Sequence, residues 1–208
     1  YCTVQRLQTV LEAAARELGA FHQRNPLRSG MARSELVSRL GRVLPNGIGP
    51  PFLEQAVARG LLSGPSPQTV AAPGFEVQLT RRQRDAIPVI ERALAAGALT
   101  PPSVDVLADE AGIPAKDAKL LLTFLVDDGR ALCLEGTLYF SMDAVQAARR
   151  QVAALFAKQP EATTSTIREL LGSTRKFLIP LLEHLARMGV TTFDGRHHRL
   201  RTDPHAKP

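Results

Sequence analysis

The sequence predicts a mainly α-helical chain with small β-hairpins, built as three tandem copies of one unit. Three observations predict it. The segment Leu121-Leu122-x-x-Leu125-x-x-x-Gly129 has the spacing of Leu181-Leu182-x-x-Leu185-x-x-x-Gly189, and Phe52-Leu53-x-x-Ala56-x-x-x-Gly60 is a weaker third copy. A shorter pattern precedes each: Leu36…Leu40-Gly41, Leu107…Ala111-Gly112 and Ile167…Leu171-Gly172, with glycine-to-glycine gaps of 19, 17 and 17 residues. Strand-like stretches around Glu-Gly or Asp-Gly follow two of the three copies. Internal repetition at this period marks a repeated supersecondary unit.

Each element has its own reason. Apolar residues at i, i+1 and i+4 with a glycine four residues later describe one buried helix face and a glycine stop. Each unit therefore reads as short helix, glycine turn, longer helix, glycine. A leading helix stands before each pair, over Val4–His22, Arg81–Ala96 and Asp143–Lys158. Thr80 is placed to cap the second of these, with Gln83 at the third helical position. Ser141 is placed to cap the third, without a Glu or Gln three residues on. After the second glycine of the middle unit, Ala131–Leu134 and Thr137–Phe140 flank Glu135-Gly136. In the last unit Val190–Phe193 and Arg196–Leu200 flank Asp194-Gly195, a strong hairpin signal. The first unit has Leu61-Leu62, a Pro/Gly-rich loop, and then Phe75–Leu79 as a looser second strand. Helix, helix-turn-helix and hairpin in about 65 residues is the winged-helix layout. The predicted units are 1–79, 80–142 and 143–208. Their joints, Leu79-Thr80 and Ser141-Met142, are too short for flexible linkers, which predicts an extended or L-shaped arrangement.

The composition fits soluble globular units. Of 208 residues 44% are hydrophobic and 22% charged, and mean hydropathy is close to zero. No apolar run approaches the ~18 residues of a membrane span, and the N-terminus carries no secretory pattern. The absence of an initial Met predicts a piece of something longer. Cys2 and Cys133 lie far apart, outside metal-ligand spacing, so neither a zinc site nor a disulfide framework is expected, and the expected compartment is the reducing cytoplasm. No nucleophile motif, phosphate loop or metal motif is present, so no catalysis and no cofactor are expected of these residues. The paired acids Asp109-Glu110 and Asp127-Asp128 read as solvated helix-end charge.

Charge locates the function. The net charge is +6, and 21 of the 26 basic residues are Arg. By segment the net is +3 over 1–79, −2 over 80–142 and +5 over 143–208. The first recognition-helix candidate, Pro50-Pro51-Phe52-Leu53-Glu54-Gln55, is weakly acidic. The second, Pro114-Ala115-Lys116-Asp117-Ala118-Lys119, mixes signs. The third, Ser173-Thr174-Arg175-Lys176-Phe177-Leu178, puts a hydroxyl pair and two cations on the first helical turn, beside exposed N–H groups and the positive end of the dipole. Arg168 lies one turn before Gly172. The hairpin adds Arg196, His197, His198 and Arg199 around Asp194-Gly195. Cations on helix start and wing suit a nucleic-acid backbone. Aromatic residues are only 5% of the chain, without Trp, which argues against an open single-strand stacking platform. His184 and His22 read as packing residues. A DNA-binding regulator and a protein-interaction scaffold are the alternatives on these residues.

The stretch Ile167-Arg168-Glu169-Leu170-Leu171-Gly172-Ser173-Thr174-Arg175-Lys176-Phe177, with Pro180-Leu181-Leu182-Glu183 and Gly189-Val190-Thr191, resembles the last winged-helix unit of the bacterial selenocysteine-specific translation elongation factor. Leu18-Gly19-Ala20-Phe21-His22 and Asn25–Met31 resemble an earlier winged-helix unit of that factor. The resemblance covers most of the chain and is strongest over 163–200. It implies a monomeric mRNA-hairpin-binding module, the last three of four winged helices, with the first two units as an arm. It implies a GTPase part with GTP and Mg elsewhere in the full protein, and the ribosome and selenocysteyl-tRNA as that protein's partners. By position it implies RNA contacts at Arg168, Thr174, Arg175 and Lys176, and it matches Gly195 to the family's wing glycine and Arg199 to a basic wing residue; the reading of hydroxyls and charge adds Ser173, Arg196 and His197 to the expected RNA-binding residues. Thr192 and Phe193 stand where the family usually has arginines, and Arg196 where Asp is common.

Overall fold

In the computed structural model of the chain, residues 4–45, 47–66 and 68–201 are described. Cys2 and His205 lie outside them. The order of elements is the order of the repeat. Contacts gather the described residues into two compact units, one reaching to Gln83 and including Thr123–Asp128, the other taking Arg84–Leu122 and the residues from Gly129 on.

In the first unit, α1 (Val4–Arg24) is followed by β1 (Met31–Ala32), α2 (Arg33–Arg39), a 3₁₀ turn (Leu40–Arg42), α3 (Gly49–Ala58) and β2 (Thr69–Val70). Pro50 and Pro51 open α3, where their missing N–H groups cost nothing. Ala14, Leu18, Phe21, Met31, Leu36, Leu40, Leu53 and Val70 fill the core. The strands pair antiparallel, Met31 with Val70 and Ala32 with Thr69. Phe75–Leu79, expected as a strand, is irregular. The Pro73-Gly74 turn (Gly74 φ +69°) ends the pairing, and the Phe75 ring leaves to stack on His22 at 3.4 Å between centroids. His22 is buried, and burial holds its imidazole below the ordinary value, opposed by the backbone carbonyl of Arg28. Gly41 sits inside the 3₁₀ turn instead of ending a helix in the left-handed region. Asp127 corrects the reading of solvated acids. Its carboxylate is nearly buried and accepts from Arg28 Nε at 2.6 Å within this unit.

The remaining elements are α4 (Arg81–Gly97), α5 (Val104–Ala111), α6 (Ala115–Asp127), β3 (Ala131–Leu134), β4 (Leu138–Ser141), α7 (Met142–Lys158), α8 (Thr164–Leu171), α9 (Arg175–Arg187), β5 (Thr191–Phe193) and β6 (His198–Leu200). The capping box expected at α4 is complete. Gln83 N–H donates to Thr80 Oγ1 at 3.3 Å, and Thr80 N–H donates to Gln83 Oε1 at 2.9 Å. Ser103 Oγ caps α5 and Thr163 Oγ1 caps α8. Ser141 makes no side-chain cap. The glycines closing α5 and α8, Gly112 and Gly172, are left-handed (φ 61° and 60°), where a Cβ would add strain.

The hydrophobic core of the last repeat reaches into the one before it. Leu99, Leu134 and Phe140 join Val145, Ala148, Val152, Phe156, Ile167, Leu171, Leu178, Leu181, Leu182 and Leu185 in a single buried cluster. The repeat divides the sequence in three, but three buried side chains of the middle copy pack into the core of the last. No described helix is long and apolar enough to cross a membrane.

Candidate nucleic-acid interface

Helix α8, the start of α9 and the wing of the last winged helix hold every residue expected at the interface. Gly172 stops α8, and Thr174, in extended backbone, opens α9. No side chain caps α9, whereas Ser103 and Thr163 cap α5 and α8. The Phe177 N–H of that turn donates to the Thr174 carbonyl at 3.1 Å, while the N–H groups of Arg175 and Lys176 have no capping side chain at the positive end of the dipole. Thr174, Arg175 and Lys176 are exposed there. Lys176 Nζ lies 5.3 Å from the Phe177 ring centroid, a cation–π contact that leaves the ammonium at the surface. Arg168 is half-buried, with only a loose contact of 3.8 Å to Glu169. Ser173 is placed differently from its neighbours. Its hydroxyl donates to the Leu99 carbonyl at 2.7 Å, which commits it inward.

The wing turn is fixed by Asp194. One carboxylate oxygen accepts from the backbone N–H of Arg196 at 2.9 Å and of His197 at 2.7 Å. These bonds, His197 first, then Arg196, hold the carboxyl down to about 2. Gly195, at φ +97°, supplies the backbone that the turn requires. Arg196 is exposed and His197 half-buried at this tip. Arg199 is tied down by Glu161 and Asp194, both at 2.7 Å. His198 points inward. It is 6% exposed, bonds Thr164 Oγ1 at 3.0 Å and stacks on Phe193 at 4.3 Å between centroids. His184, on α9, is half-buried as expected, and burial lowers its pKa.

Between wing and helix lies an apolar cleft of about 240 Å³, lined by Thr164, Ile179, Leu182, Glu183, Phe193 and His198 among others. Sequence reasoning missed it. Phe193 stood out only as a lost arginine, yet it is 53% exposed and forms a cleft wall with Ile179, itself 45% exposed. An aromatic residue beside a hairpin turn was the available signal.

Residues 15–63 and 154–200 match family models described as "Elongation factor SelB, winged helix". Both segments are thus similar to SelB winged helices. The chain is also 29% identical, over 187 residues, to a selenocysteine-specific elongation factor of Desulfomicrobium baculatum. That alignment takes in 88% of the chain and 29% of the relative, so the chain spans under a third of the relative's length. The mRNA-binding domain of E. coli elongation factor SelB, solved in complex with SECIS RNA, superposes with a TM-score of 0.50 at 24% identity over 59% of the chain and 99% of that domain. At that identity the likeness shows the winged-helix fold. A bacterial selenocysteine-specific elongation factor, EF-Sec, covers 93% of the chain and 29% of its own at 18% identity and a TM-score of 0.48. The SelB match over 154–200 contains α8, α9 and the wing.

Proposed function

We propose that the chain is an mRNA-hairpin-binding module of a selenocysteine-specific elongation factor, tethering that factor to the stem-loop that recodes UGA. The observation that carries it is the uncapped start of α9, exposing Thr174, Arg175 and Lys176 inside a segment of SelB winged-helix type. A phosphate at that turn meets the N–H groups of Arg175 and Lys176, the helix dipole, a guanidinium fork and an ammonium together. Arg196 at the wing tip and Arg168 behind the turn extend the cationic edge, with His197 adding ring donors or acceptors.

Such contacts supply affinity and salt dependence; specificity needs bases. The major groove of A-form RNA is too narrow for a helix to read, so the readable bases are unstacked ones in a loop or bulge. The cleft beside Phe193 offers an apolar wall and an exposed aromatic face to such a base. The first two winged helices serve as an arm. Ribosome and selenocysteyl-tRNA binding, GTP and Mg²⁺, and a cytoplasmic location belong in this reading to the whole elongation factor; none is assigned to a residue of this chain.

The test is titration of the chain with a SECIS RNA hairpin over a range of salt. Replacing Arg175 and Lys176 with Ala is expected to weaken binding strongly and to lower the log–log salt slope by about 0.7–0.9 for each phosphate no longer neutralised. Unchanged affinity rejects the helix start as the interface. Duplex DNA competing as well as the hairpin rejects RNA as the partner.

A further inference from the structure

Arg199 is the basic wing residue that the resemblance brings to the RNA, and its surroundings point elsewhere. Its Nη2 donates to Glu161 Oε2 at 2.7 Å and its Nη1 to Asp194 Oδ2 at 2.7 Å. The other oxygen of Asp194 holds the N–H groups of Arg196 and His197. Asp194 N–H donates to the His197 carbonyl at 3.1 Å, closing the turn from the other side. Glu161 precedes Ala162, whose N–H and carbonyl pair with those of His198 on β6 at 3.0 and 2.8 Å. An unbroken series of bonds thus runs from the residues before α8, across β6, to the wing tip.

The charges decide what Arg199 does. Two carboxylates surround one guanidinium, so the cluster carries a net −1. A phosphate approaching it meets repulsion, and a guanidinium engaged on both arms presents no free fork. At the tip, by contrast, Arg196 is exposed, and the bond from its backbone N–H to Asp194 fixes the base of its side chain. These pairs are too exposed to matter much to global stability. What they fix is where the tip points.

We propose that Glu161, Asp194 and Arg199 form a clamp that sets the pose of the wing tip, making Arg199 a positioning residue and leaving Arg196 and His197 as the wing's RNA-facing groups. The proposal rests on the RNA-binding reading, but half of its test does not. In the full chain without RNA, the amide protons of Arg196 and His197 are expected to exchange faster in Arg199→Gln and in Glu161→Gln than in the wild type. Unchanged exchange overturns the clamp whatever the chain binds.

With a SECIS RNA hairpin as probe, Arg199→Gln is expected to weaken binding about tenfold with the salt slope unaltered. Glu161→Gln shifts affinity in the same direction, and the double variant is no worse than either single one. A slope reduced by about 0.7–0.9 in Arg199→Gln, with tighter binding by Glu161→Gln, makes Arg199 a phosphate contact and overturns the proposal. A wild-type chain that binds no hairpin refutes the RNA reading, and the role in recognition with it, while the exchange result still reports on the clamp itself.

Discussion

At the scale of single residues, the last winged helix separates neighbours that the sequence presents alike. His197 and His198 are adjacent, yet one stands at the wing tip and the other is buried against Phe193 and Thr164. Burial lowers the pKa of His198, with the charge of Asp194 opposing it. Glu183 lines the same cleft. The folded pKa therefore lies below the unfolded value, and the fold favours the neutral ring. Its contribution to stability is fully present above the unfolded value near 6.5 and is lost as pH falls through the folded one. His22 and His184 are shifted in the same direction. The melting temperature is expected to fall between about pH 7 and 5, and His198→Phe should remove part of that dependence. A pH profile identical in the variant shows that His198 carries none of it. The Asx turn at Asp194 was legible in Asp-Gly. The inward turn of His198 was not, because a three-residue strand with one buried position sets no alternation to read.

At the scale of elements, the start of α9 is held from outside its own winged helix. Ser173 donates to Leu99 in the segment after α4, and the half-buried Phe177 meets the fully buried Phe140 of β4 edge-on, 6.4 Å between centroids. Helices, their stops other than Gly41, and two hairpins were legible because each follows from local periodicity and turn chemistry; β3 and β4 flank Glu135-Gly136 as expected. A bond across 74 positions leaves no local trace, so Ser173 read from sequence as one more hydroxyl facing the RNA. The same blindness explains Phe75, whose β-forming neighbourhood is outweighed by a ring partner 53 positions earlier. Phe140→Ala is expected to cost about 3–5 kcal/mol and Ser173→Ala about 1 kcal/mol, read as shifts in urea midpoint at constant slope. If Ser173→Ala leaves stability alone and weakens RNA binding, the hydroxyl belongs to the interface after all.

At the scale of the molecule, charge and packing divide the chain differently. Charge isolates 143–208, which carries the highest net positive charge and the uncapped cationic helix start. Packing does not isolate it, since Leu99, Leu134 and Phe140 complete its core from the preceding repeat. Cutting before residue 143 removes all three, and each buried side chain of that size contributes about 1.5–3 kcal/mol. The loss, roughly 5–9 kcal/mol, is as large as the whole stability of so small a domain, about 3–10 kcal/mol at the usual value per residue. Residues 143–208 alone are therefore expected to lack a cooperative melting transition, whereas 80–208 keeps one. Circular dichroism of the two fragments checks this. An isolated 143–208 that melts as sharply and as high as 80–208 would show that the side chains from the preceding repeat are not needed, and that the start of α9 is held without them.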